Sequence, residues 1–250
     1  MNTSLRKSIF LSPSIRSEMW LAVCLTAIAG YVDAYALVNY RVYVSFMSGN
    51  VTATGSMIGQ GQLAAVALMV LAMLFFMAGA LLGNWLGNSK LQNPRLILFG
   101  MVTAAIAITI GCTLALPSGL PAAAAVPVSL LTLAMGMMNA THAESLSLTA
   151  MTGTVYRVAA HLALGLAREP LPGAQGAWDT HLHRAADDAR ILAAFMAGAI
   201  VAGAASYYFH VWALLPPLLA VGTLTLVVLR NFARSTPKFE REDRRQIFRP

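Results

Sequence analysis

"YVSFMSGNVTATGSM", residues 43–57, lies between two of the most apolar stretches of the chain, yet consists largely of Ser, Thr, Gly and Asn. Such a segment could be a surface loop, a phosphate-binding loop or a polar element held inside a membrane. Its surroundings decide the setting. Of the 250 residues, 58% are hydrophobic and only 11% are charged, whereas an average soluble domain is about a quarter charged. Mean hydropathy is +0.66. Apolar runs at 19–38, 63–88, 96–116, 122–138, 191–209 and 211–229 each approach the roughly 20 residues that a bilayer-crossing helix needs. They predict an all-α, polytopic membrane protein, with one membrane domain over 18–230 between an N-terminal tail, 1–17, and a basic tail, 231–250.

Arg6, Lys7 and Arg16 ahead of the first run suggest a secretory signal. That run is too long for a signal's apolar region and more spans follow, so an uncleaved first helix is expected. Cys24 and Cys112 lie inside apolar runs without metal or redox spacing, and read as packed or lipid-facing thiols. The net charge of +7 concentrates in the tail, where Arg230, Arg234, Lys238, Arg241, Arg244, Arg245 and Arg249 face only Glu240, Glu242 and Asp243. Beside a membrane helix this predicts a cytoplasmic anchor drawn to anionic lipid rather than a nucleic-acid arm.

The opening segment has an echo. "MSGNV" at 47–51 recurs as "MTGTV" at 151–155, "GYVDA" at 30–34 as "GMMNA" at 136–140, and "FMAGA" at 76–80 as "FMAGA" at 195–199. The pairs keep their order, with offsets of 104, 106 and 119 residues. Two internal repeats follow, over 18–116 and 122–230, with an insertion in the second at the polar stretch "AREPLPGAQGAWDTHLHRAADD", 167–188. Duplicated halves are typical of transporters and channels.

If both M-[ST]-G segments cross the bilayer, there are eight spans and the halves are parallel. If both turn back, there are about six spans, two short polar re-entrant or broken segments, and inverted halves. Inversion puts Arg6, Lys7, Arg16, Lys90, Arg95, the 167–190 region and both termini on the cytoplasmic side, as the positive-inside rule favours. Residues 44–61 are also too polar for a comfortable span. Irregular backbone at membrane depth is tolerated only where protein or a cavity surrounds it.

Candidate chemistry gathers around these segments. Asp33 is an intramembrane carboxylate, a costly group that usually faces a cavity or a partner. It could equally cap the amides of the next segment, and its repeat mate is Asn139. Ser48, Asn50, Thr52 and Thr152 offer polar groups for a substrate or a half-helix N-terminus, with Ser48 or Thr152 suited to N-capping. Gly30, Gly49, Gly136 and Gly153 allow close backbone approach. The second half adds His142, Glu144, Arg157 and His161, where positions 53 and 57 of the first hold Ala53 and Met57. Arg157 and His161 share a helix face. If the two polar segments meet, Asp33 and Arg157 would pair across them, with His161 titrating near neutrality. The competing reading is a buried polar network that fixes helix register.

Weaker signals are "HLHRAADD" at 181–188, read as a solvated loop rather than a metal site, and Met69, Met73 and Met77, a helical stripe suited to packing. No G-x-S-x-G, H-E-x-x-H or G-x-x-x-x-G-K-[ST] occurs, so neither an enzyme nor a cofactor or metal site is expected.

On "AGYVDAYAL", "SFMSGNVTATG", "LAMGMMNA" and "TAMTGTVYRVA", residues 18–230 resemble the YoaK-like family of small bacterial membrane proteins of unknown function. The resemblance implies a polytopic inner-membrane protein of about six helices, and supplies no substrate or catalytic residues. Met138–Asn139 stands where that family would lead one to expect Gln-Asn, and Ser48 where Thr is commoner. The leading expectation is a secondary transporter for a small molecule, driven by a proton or substrate gradient; the alternative is a non-transporting scaffold, sensor or assembly factor. A homodimer stands as one option, since small permeases often pair.

Overall fold

The computed structural model describes residues 15–117, 120–141, 151–174, 176 and 178–235. Among them are eight α-helices and one 3-10 turn: α1 Ile15–Tyr40, α2 Met47–Gly59, α3 Leu63–Gly87, α4 Pro94–Ala115, α5 Pro121–Asn139, α6 Met151–Leu166, α7 His181–Phe209 and α8 Leu215–Ser235, with the turn at His210–Leu214. The chain is an all-α polytopic membrane protein. Five apolar runs are long enough to cross a bilayer, and the last, His181–Ala233, contains both α7 and α8. α3 presents Leu74, Met77, Leu81 and Trp85 outward, a face suited to lipid rather than water.

Local chemistry sets the helix starts. Asn93 precedes α4 and accepts the Leu96 N–H at 3.3 Å, while Pro94 occupies the first turn, where a missing N–H costs nothing. Thr180 caps α7 by accepting the His183 N–H at 3.2 Å. "HLHRAADD" is therefore not a loop: residues 181–188 are the first two turns of α7. Its His183–Asp187 pair, at 3.4 Å, and its Arg190–Asp187 pair lie one helical turn apart, the spacing at which a helix brings side chains together. The irregular connection is confined to 167–180.

Glycines determine which helices pack closely. A Cβ added at Gly79 would collide with the Leu133 carbonyl, and one at Gly83 would lie 3.1 Å from the Met137 Cα. Position rises together along both helices, so α3 and α5 run in the same direction. Gly136 likewise faces the Phe76 carbonyl. α1 and α7 make the corresponding contact, with Gly30 against the Phe195 carbonyl and Gly198 against the Ala27 carbonyl. Each FMAGA helix thus packs on the G-x-x-[DN]-A helix of the other half. α4 packs on α5 and on α8, where Thr103 and Thr225 bring their hydroxyls to 3.1 Å.

Two features bend the backbone back into this body. Tyr31 donates its hydroxyl to the Ala213 carbonyl at 2.7 Å, tethering the 3-10 turn, whose Leu214 is fully buried. After α1, Arg41 adopts a left-handed φ of 60°. Residues 41–46 then descend beside α1, and α2 returns. Tyr40 and Val42, at the end of α1, pack in one cluster with Ala53 and Met57 of α2 and with Met69, Ala72 and Val128. The end of α1 and the second half of α2 therefore lie at the same height, as in a helix that doubles back. α2 rests on α3, and α6 on α7.

Candidate functional site

Asp33 is buried on α1, and its Oδ1 accepts the N–H groups of Val44 and Ser45, each at 2.8 Å. Those amides would otherwise be unpaired where the chain turns back just ahead of α2, and a carboxylate suits the positive end of a helix. Asn50, fully buried on α2, completes the turn. Its Oδ1 accepts the Tyr43 N–H at 3.0 Å and its Nδ2 donates to the Tyr43 carbonyl at 2.6 Å. A side-chain amide substitutes for the neighbouring strand that this extended stretch lacks. The arrangement has the capping geometry set out above for Asp33, with Asn50 as a second clamp.

The structure does not bring the two polar segments together. α2 and α6 make no contact, nor do α1 and α6. Arg157 does not pair with Asp33; it reaches Asp188 of α7, which is closer because α6 lies along α7. α2 begins at Met47 with Phe46 as its N-cap, so Ser48 lies inside the helix rather than capping it, and its side chain is exposed, as are those of Thr52 and Thr152. Asn139 donates back to the Met135 carbonyl of its own helix at 3.0 Å. Gly49 gives room to the Phe46 ring, not to a backbone, and a Cβ at Gly153 would meet only the far end of Arg157 at 3.8 Å. Residues His142 and Glu144 lie outside the described residues.

The chemistry that the structure does assemble lies between α6 and α7. Arg157 donates from Nε to Asp188 Oδ1 at 3.1 Å and from its terminal nitrogen at 2.9 Å, and also to Thr154 Oγ1 at 3.1 Å. One turn along, His161 Nδ1 lies 2.9 Å from His181 Nδ1. That contact needs one ring to donate and the other to accept, so it exists only while at least one imidazole is neutral. Desolvation, with the neighbouring His181, holds the His161 imidazole below its ordinary range, against the raising influence of Asp188. Below the pair, Gly165 admits the Leu182 side chain. Arg184 pairs with Asp179 through two 2.9 Å bonds at the base of α7.

Asp188 and His181 were not singled out as site residues in the sequence because the polarity of 181–188 reads as a loop. The usable signal was Thr180 as a cap, followed by His181 and Asp188 seven residues apart and so on one helix face. Also unforeseen is a cavity of about 260 Å³ where α3 and α5 end and α4 begins, lined in part by Asn84, Asn88, Arg95 and Thr141. Among the described residues no group of three or more His, Cys, Asp or Glu could hold a metal ion.

No curated protein and no solved structure shows a significant match to the chain. A family model described as protein of unknown function DUF1275 matches residues 21–227, which include α2, α6 and the turn that Asp33 and Asn50 hold. With most of its length in that match, the chain belongs to the DUF1275 family of uncharacterised proteins.

Proposed function

We propose that this protein is a small-molecule permease of the cytoplasmic membrane, built from two inverted repeats and coupled to protons at the α6–α7 seam. One observation carries the reading. Ala53 and Met57 of α2 pack with Met69 of α3 in an apolar cluster. At the corresponding positions of the second half stand Arg157, His161 and Asp188; Arg157 is ion-paired to Asp188, and His161 is hydrogen-bonded to the neighbouring His181. One copy of the contact is apolar, and the other carries an ion pair and a histidine contact. Ionisable groups held within a membrane protein are costly and commonly mark ion or substrate pathways. Repeated halves with interrupted helices support the same class. The basic residues near the α3–α4 turn and in the 167–190 region support cytoplasmic placement of that side and of both termini. Association of the basic tail with anionic lipid, and pairing of two copies, belong to the same proposal.

The test is the purified chain in liposomes loaded with a pH-sensitive dye and challenged with a panel of small organic acids and amines. At least one compound is expected to move protons, and Asp188→Asn and His161→Gln are expected to reduce that movement about tenfold or more. Equal proton movement in the variants, or none above empty liposomes for any compound, overturns the proposal. A cysteine placed at Lys90 tests the topology: labelling from the cytoplasm supports inverted halves, and labelling from outside sinks them.

A second reading has one specific observation in its favour. Asp33 and Asn50 hydrogen-bond to backbone within their own half, as buried groups do when they fix a shape. A non-transporting scaffold would use them in this way, and the liposome assay separates the two readings.

A further inference from the structure

Helix length and packing together fix the level at which a bilayer meets this chain. α7 has 29 residues, a rise of about 43 Å, whereas a hydrocarbon core is about 30 Å thick. The excess lies at its amino-terminal end, where Arg184, Asp187, Asp188 and Arg190 stand, since residues 191–209 carry no charge. α1 gives an independent measure. Gly30 meets Phe195, and Gly198 meets Ala27 and Tyr31, so these two helices, which run in the same direction, are level near Ala29 and Met196. Counting outward from there, Trp20 is level with Asp187 and Tyr40 with Tyr207. Each interval of twenty residues rises about 30 Å.

Exposed aromatic residues agree with these two levels. Trp20 is exposed at one of them. Trp85 is exposed near the end of α3, which returns to that side because it starts beside the end of α1. Tyr207, Tyr208 and Trp212 are exposed at the other level. Rings with a polar edge favour the two boundaries between hydrocarbon and water.

The first turns of α7 therefore stand outside the hydrocarbon, and α6 lies along them, with Arg157 on Asp188, His161 on His181 and Gly165 on Leu182. α6 is inside out for a helix in water: Arg157 and His161 face α7, while Val155, Tyr156, Leu162 and Leu166 face outward. At the foot of the hairpin, Leu166 is 79% exposed, Trp178 51% and Leu182 50%. Leu182 lies five residues before Asp187, about 7 Å beyond the hydrocarbon edge. That is within the headgroup layer, which adds about 5–7 Å to each face of the core. The Trp178 ring, 5.4 Å from that of His183, is at a similar depth. The first half has no counterpart to this foot, because only residues 60–62 join α2 to α3.

We infer that the foot of the α6–α7 hairpin is a lipid-binding surface, with Leu166, Trp178 and Leu182 seated among the phospholipid headgroups of the leaflet that holds Trp20 and Trp85. It continues the lipid-facing surface of the spans past the hydrocarbon edge, and it leaves His161 and His181 at the level of the headgroups. The contact stands apart from the permease reading, because it is measured without flux and without changing Arg157, His161, His181 or Asp188.

The experiment uses the full chain in liposomes of phosphatidylcholine and phosphatidylglycerol, with Trp20, Trp85 and Trp212 changed to Phe so that Trp178 alone fluoresces. Lipids carrying a nitroxide on the headgroup or near the end of the acyl chain quench from two depths, and acrylamide quenches from water. The headgroup probe is expected to quench Trp178 at least about twice as strongly as the acyl-chain probe, as an indole in the interfacial layer requires. Leu166→Glu, at an exposed position, is expected to lower that quenching about twofold or more by lifting the foot from the lipid. A protein with Trp85 alone provides the reference for an indole at the boundary. Quenching of Trp178 by acrylamide and by neither lipid probe puts the foot in water and overturns the inference. Shielding from all three quenchers assigns the foot to a second copy or another protein, and overturns it as well. Stronger quenching by the acyl-chain probe, or headgroup quenching unchanged in Leu166→Glu, has the same consequence. The melting temperature of each variant shows that it remains folded.

Discussion

The side chain of Asn50 pairs with both backbone polar groups of Tyr43, accepting its N–H at 3.0 Å and donating to its carbonyl at 2.6 Å. It secures residues that belong to neither α1 nor α2 and have no helical partners there. Asn50→Leu keeps the approximate volume but leaves two part-buried backbone groups unpaired, at up to about 1–3 kcal/mol each. The expected result is a clear fall in thermal midpoint in detergent, with protease sensitivity appearing at 41–46. An unchanged midpoint would show that this clamp contributes nothing.

Asp33 separates a structural role from a proton-carrying one. Asn at this position keeps an oxygen for the Val44 and Ser45 N–H groups, losing only the charge-assisted share of those bonds, roughly half. Asp33→Asn should therefore fold and retain any proton movement, while Asp33→Leu should destabilise by several times more. Proton flux abolished in a folded Asp33→Asn protein would restore Asp33 to the coupling site.

Glycine substitutions should divide by position rather than by residue type. Gly79→Ala would drive a methyl into the Leu133 carbonyl and push α3 away from α5, with an expected cost of about 1–3 kcal/mol. Gly100, in α4, has nothing within 4 Å of its Cβ position. There Ala should be neutral or stabilise by about 0.5–1 kcal/mol through helix propensity. Thermal-shift measurements on the two variants side by side test this, and equal midpoints would refute the close approach of α3 and α5.

The docking of α6 should depend on pH in a definite direction. Groups facing His161 are Arg157 on its own helix, and His181, Arg184 and Asp188 on α7. Burial and His181 lower the pKa of His161 from its ordinary 6.5, so between the lowered value and 6.5 the undocked form binds more protons. The contribution of His161 to docking is then fully present above pH 6.5 and is lost as pH falls through that window. Spin labels on α6 and α7 should report a fixed separation at pH 7.5 and a broader one under acid. His161→Gln should lose the step, and a step that persists in this variant would place the titration elsewhere.

Legibility differed between the two polar segments. Membrane setting, all-helical class and the polar interruption at 44–61 were readable because apolar length and Gly, Ser and Asn content act locally. Asp33 could be found because a lone carboxylate inside an apolar run is conspicuous, and capping was one of the two roles set out for it. The position of 181–188 was misread because helical and loop segments of similar polarity differ mainly in a single cap, Thr180. The partner of Arg157 was missed for another reason: which helix α6 lies against depends on the packing of elements far apart in sequence.

The sequence by itself determined that this chain crosses a membrane, that it is helical, and that matched motifs recur in order along it. Those properties follow from hydrophobic length and local residue choice. Only the tertiary structure decided that α2 rests on α3, that α6 rests on α7, and that Arg157 meets Asp188 instead of Asp33. The physical reason is close packing. Gly30, Gly79, Gly136 and Gly198 let α1 approach α7 and α3 approach α5, and once those contacts form, α2 and α6 are carried to separate places and cannot touch.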